Sequence, residues 1–213
     1  MTRSRTEFSE SESFSIDLQG AHKVFFDFDH GAGQVQVTGG APTGVAVTGI
    51  KGTGMEISSN LDGNVLSVDV NAGPTFVPFI GPEGGIWQFK LTNEVPVSLD
   101  VDAGATSMSF NLSDVKLERF KMDTGASSTS LVLPRDGQPH VEIESGAASI
   151  DITVPEGMAA RIRVEGGASS ISIDPARFPQ VDGGLYQSPD FEGALNKAEI
   201  RLDGGANSVS IHS

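Results

Sequence analysis

The chain has 213 residues, no cysteine, 28 acidic against 14 basic side chains, and a formal net charge of −14. The absence of cysteine excludes disulfides, thiolate nucleophiles and cysteine-ligated metals. So acidic a chain also repels nucleic acid and anionic lipid, which bind through cationic patches.

Residues 1–12, rich in Thr, Arg, Ser and Glu, lack the apolar core of a signal peptide and are expected to be a disordered tail. A single domain is expected over 13–213. Phe14, Ile16 and Leu18 alternate, which predicts a capping strand. Over 22–80 the pattern is loose. Phe26/Phe28 and Val35/Val37 flank Gly31-Ala32, and Val68/Val70 and Val77/Phe79 flank Gly73. Val45/Val47 and Met55/Ile57 fit the same scheme if their turn is one residue longer. The stretch Thr75–Trp87 is the most apolar segment outside the repeat and is read as an insertion near 75–87. Phe79 and Trp87 in it are candidate contact residues if exposed.

Regular repeats run over 97–213. Gly-Ala recurs at Gly104, Gly125, Gly146 and Gly167, at intervals of 21 residues, and again at Gly205 beyond an insertion near 175–197. Apolar residues stand five and three positions before each glycine (Leu99/Val101, Phe120/Met122, Val141/Ile143, Ile162/Val164, Ile200/Leu202). Others stand four and six after it, as in Met108/Phe110 and Ile150/Ile152, with Thr129 the polar exception. Period-2 alternation on both sides of a small-residue turn makes each unit a strand, a turn and a strand with one buried face. Such a unit is unstable alone, and stacked copies form a continuous core. The fold expected is all-β: a single-stranded right-handed parallel β-helix of about eight rungs, with an antiparallel sandwich as the rival. Ser188-Pro189 in the later insertion predicts a short helical turn.

Stacking turns each outward position into a ladder. Two residues before the glycine stand Asp29, Asp102, Asp123, Glu144, Glu165 and Asp203, with Lys121, Arg163 and Arg201 two residues earlier in three rungs. Three residues after it stand Ser107, Ser128, Ser149, Ser170 and Ser208. These two ladders, with Phe79 and Trp87, are the candidate interaction surface. Four histidines (His22, His30, His140, His212) show no metal-ligand spacing, and neither a nucleophile elbow nor a phosphate loop occurs. The pairs Asp27/Asp29 and Asp100/Asp102 have a separation that suits inverting glycosidases, but they follow from the ladder. No catalytic residue, metal or cofactor is expected.

The run Trp87-Gln88-Phe89-Lys90-Leu91-Thr92-Asn93-Glu94-Val95-Pro96-Val97-Ser98-Leu99, then Asp102-Ala103-Gly104-Ala105, resembles the toast-rack domain family. That family is related to the C-terminal domain of LiaF-type cell-wall-active antibiotic response proteins. Thr124-Gly125-Ala126-Ser127, Val154-Pro155-Glu156-Gly157 and Leu185-Tyr186-Gln187-Ser188 extend the resemblance, which is close over 87–213 and weak over 20–86. It implies a bacterial β-solenoid linked to envelope stress signalling, with no active site to carry over. The reading is a non-enzymatic interaction module with a protein partner. The alternatives are an adhesin-like or self-assembling scaffold, joined as a homo-oligomer through the solenoid ends, and a carbohydrate-binding β-helix. The absence of an export signal and of an apolar span places the chain in the cytoplasm as written, with no direct membrane insertion and membrane association left to a partner.

Overall fold

The computed structural model describes residues 12–51, 54–72, 86–167, 170–205 and 207–213. The expected tail and Val77/Phe79 lie outside the described residues, except that Glu12 opens the first strand. All regular structure among the described residues is β. The N-terminal strands are β1 (Glu12–Asp17), β2 (Lys23–Gly39), β3 (Val45–Lys51), β4 (Met55–Asp62), β5 (Val65–Ala72) and β6 (Ile86–Leu91). The regular repeats form β7 (Val97–Asn111), β8 (Leu117–Val132), β9 (His140–Thr153), β10 (Ala159–Gly166) and β11 (Ser170–Ile173). The second insertion contributes β12 (Gln180–Asp182) and β13 (Leu185–Gln187), and the last repeat contributes β14 (Lys197–Gly204) and β15 (Ser208–His212).

These strands form one mixed sheet. Equivalent repeat positions pair in parallel register. Phe26, Leu99, Phe120, Val141, Ile200 and Ile162 make one column, and Val35, Met108, Thr129, Ile150, Val209 and Ile171 another. The alternation read from the sequence is therefore the inside–outside alternation of the stack. Between layers the chain crosses on short segments whose Leu112, Val115, Leu133, Val154 and Met158 are buried in the same core cluster.

The glycines of the turn stack on one another. A Cβ on Gly104 would run into the carbonyl oxygen of Gly31; one on Gly146 would lie 2.9 Å from that of Gly125, and one on Gly205 2.6 Å from that of Gly146. Backbone approaches backbone here, and only a residue without a side chain fits.

Three expectations about the rungs are corrected. First, residues 45–57 are not a parallel rung. β3 pairs antiparallel with β1 and β6, and β4 pairs antiparallel with β5. The connection after β2 is Gly40-Ala41-Pro42-Thr43-Gly44, with both glycines left-handed (φ 92° and 80°) and no large apolar side chain to close the core. The chain reverses instead. A two-residue turn led by Gly63 (φ 57°) makes β4 and β5 a hairpin. Second, the layer on β2 is split: β5 covers its first half and β6 its second, with Trp87 and Phe89 opposite Val35 and Val37. The insertion thus ends before Trp87. Third, spatial order departs from chain order at the far end. β14/β15 lies directly on β9, and β10/β11 lies outside it. Among the described residues seven parallel layers follow one another (β5/β6, β2, β7, β8, β9, β14/β15, β10/β11), against about eight expected in chain order.

The capping strand over Phe14 and Ile16 is present as β1. Ser188–Ala194 forms hydrogen-bonded turns, one of them of helical i→i+4 type, with Ala194 N–H donating to Asp190 O at 3.0 Å. Phe178 and Phe191 are buried there.

Candidate interaction faces

The residues before the turn glycines form the first face. Its outer columns run Asp69, Asp27, Asp100, Lys121, Glu142, Arg201, Arg163 and Asn71, Asp29, Asp102, Asp123, Glu144, Asp203, Glu165 along the stack. The acidic ladder predicted from sequence is therefore continuous, with its last two members exchanged in order.

Charge divides this face into two halves. Toward β5 the carboxylates stand next to one another with Lys121 as the nearby cation. Burial, then repulsion from Asp100, Asp69, Asp29 and Asp102, holds the Asp27 carboxyl above its ordinary range. Asp102 is raised likewise, first by burial and then by Asp29, Asp123 and Asp100, with Lys121 opposing. Toward β10 arginines enter and pair with the ladder. Arg201 donates to Glu165 at 2.8 Å, Arg163 lies 3.7 Å from the same carboxylate, and Arg119 lies 3.3 Å from Glu142. Arg161 reaches Glu192 at 2.6 Å and Gln187 at 2.7 Å, and stacks on Phe191. Arg119, Glu142, Arg161, Arg163 and Arg201 line a groove of about 400 Å³ together with Val141 and Ile200. The sequence showed single arginines; the register of β8, β9, β14 and β10 is what gathers them.

The second face follows the turn. Ser107, Ser128, Ser149, Ser208 and Ser170 are exposed and form one unbroken column across five layers. Gln34 continues it on β2. Nearby, Gln36, Thr38, Gln88 and Lys90 edge a groove of about 450 Å³, and the Gln88 amide donates to Gln36 Oε1 at 3.3 Å.

Trp87 does not belong to either face. It has no exposed surface and packs against His30, ring centroids 4.3 Å apart, and edge-on to Phe89. Its position in β6 faces the core, so the contact role expected of it is withdrawn. Phe79, the other apolar candidate, lies outside the described residues. Sequence spacing missed the His30–Trp87 contact because the two residues meet through the split layer. Burial holds the His30 imidazole down to about 4. Among the described residues no group of three or more His, Asp or Glu side chains is placed to hold a metal, and no helix is long and apolar enough to cross a membrane.

Stacked parallel layers with continuous outward ladders define an all-β repeat protein. The family model described as the N-terminal domain of toast_rack, DUF2154, matches residues 4–153, and the chain belongs to that family. The match ends with β9 and includes the N-terminal strands, where the sequence resemblance was weak. A candidate cell adhesion protein from Clostridium sporogenes ATCC 15579 shares the fold, with a TM-score of 0.84 at 16% identity over 95% of this chain and 98% of that one. A candidate adhesin from Bacteroides fragilis NCTC 9343 aligns over 95% and 97% at 10% identity, but its TM-score of 0.27 carries no argument. No curated protein matches the sequence.

Proposed function

We propose that this chain is a non-catalytic interaction module that presents rigid ladder faces to a protein partner in a bacterial envelope-stress setting. The observation that carries the reading is the acidic half of the first face. Asp69, Asp27, Asp100, Asp29 and Asp102 adjoin one another there, and burial first, then repulsion among these carboxylates, holds Asp27 and Asp102 above their ordinary range. A cationic surface docking there relieves that repulsion, and charge complementarity of this kind sets specificity and association rate. The parallel layers are read as a right-handed β-helix, because crossovers between parallel strands of one sheet take that hand. The module reaches a membrane through its partner.

An adhesin-like role is the second reading, favoured by the name given to the Clostridium structure with the same fold. Photo-crosslinkers placed at Asp102 and at Ser149 of the full chain, in bacterial cells, separate the two. Protein adducts from Asp102 that are lost in the Asp27→Lys/Asp100→Lys chain support the docking reading. Adducts from Ser149 alone, or retention of glycan rather than protein, support adhesion or sugar binding and overturn it.

A further inference from the structure

We propose that a second copy of this chain docks head-to-tail on the open edge of β11, adding its own β1 as the next parallel strand. β11 pairs with β15 on one side and with no described strand on the other. The half-layer beside it, β10, is covered by β13 and then β12. The consequence shows in the core column. Val209 and Ile150 are 2% and 1% exposed, whereas Ile171 in the same column is 41% exposed. An edge with unpaired backbone groups and an uncovered isoleucine is a template for another strand.

The chain carries a matching strand at its opposite end. Among the described residues β1 pairs with β3 alone. It is antiparallel to β3, which is antiparallel to β6, which is parallel to β2. β1 therefore runs in the same direction as β11. Its sequence, Ser13-Phe14-Ser15-Ile16, has the same alternation as Ser170-Ile171-Ser172-Ile173. Set in register, Phe14 and Ile16 cover Ile171 and Ile173, and Ser13 and Ser15 continue the serine columns. The repeat code is thus satisfied across the junction.

The ends are also stepped in compatible senses. Beyond β10 the first half rises by two strands, β13 and β12. At the β1 end the first half carries two strands on β2 (β5, β4) against three on the second (β6, β3, β1). A raised half then meets a lowered one. The overlap left over is one strand, and it falls on β12, three exposed residues with a slipped register, which shifts aside. The contact uses different surfaces on the two copies and so propagates. It leaves the ladder faces free and does not depend on the docking reading.

Because the chain lacks cysteine, single Ser15→Cys and Ser172→Cys chains test the geometry directly. Within one copy β1 and β11 are eight strand spacings apart, about 38 Å, so a short bismaleimide cannot join them internally. The expected result is a cross-linked dimer when the two variants are mixed and none from either alone. Sedimentation of the unmodified chain should show mass rising with concentration, weakened about tenfold or more by Ile171→Lys with an unchanged circular dichroism spectrum. A monodisperse monomer at millimolar concentration, or cross-linking of either variant with itself, overturns the proposal.

Discussion

At the scale of single residues, the turn glycines differ in what they tolerate. The space for a Cβ on Gly104 is occupied by the Gly31 carbonyl, whereas on Gly125 the nearest atom is 3.4 Å away, at ordinary contact distance. Gly104→Ala should therefore cost about 2–3 kcal/mol and Gly125→Ala less than about 0.5 kcal/mol. Chemical denaturation of both chains checks the difference, and equal losses would contradict the stacking described. His30 sets the acid limb of stability. Its imidazole is buried and neutral, with a pKa near 4 against 6.5 in the unfolded chain. Its contribution is fully present above pH 6.5 and is lost as pH falls through about 4, a total of about 3 kcal/mol. His30→Leu should flatten stability between pH 6.5 and 4. Trp87, the single tryptophan, lies against the ring and reports the transition by fluorescence.

At the scale of elements, two polar clamps fix the order of the last repeats. Asn207 is buried on the turn before β15. Its amide oxygen accepts from Ala148 N–H at 3.0 Å and its amide nitrogen donates to Ser145 Oγ at 2.9 Å. This ties the final repeat to β9 rather than to β10. Arg177 pins the second insertion to the base of the stack, donating to the carbonyls of Val154, Pro155 and Met158 at 2.6–2.8 Å. Asn207→Ala and Arg177→Ala should each cost about 2 kcal/mol. Hydrogen exchange distinguishes them: the first should open β14 and β15, and the second the segment 174–197. Loss confined to the wrong segment would refute the assignment of each clamp. These clamps were not legible in the repeat, because Asn207 occupies a position filled by Thr106, Ser127 and Ala148 in earlier units, and Arg177 is outside it.

For the whole molecule, a net charge of −14 is a standing cost, and the aspartates that adjoin one another on one half of the first face add to it locally. Asp27 and Asp102 are raised in the folded state, so their repulsion is absent in acid and grows as pH rises through their pKa values. Raising salt from 0.01 to 0.1 M shortens the Debye length from about 30 to about 10 Å. It should raise the melting temperature at pH 7 by roughly 2–4 °C. Asp27→Asn should raise it at low salt and shrink the salt response. A melting temperature insensitive to both would show that the acidic half is not strained.

The sequence by itself determined what repeats. A 21-residue period with alternating apolar residues dictates which side chains enter the core and which form the serine and acidic ladders, since side-chain direction in a strand follows parity. It also determined the family, whose features lie in those same positions. Order was decided by tertiary structure alone. Near-equivalent repeats satisfy the same ladder in any sequence, so nothing local says that Gly205 stacks on Gly146 and Gly167 outside it. The reversal at 40–44, the burial of Trp87 in a split layer and the gathering of four arginines likewise depend on which strands become neighbours, a property of long-range packing that a one-dimensional period does not encode.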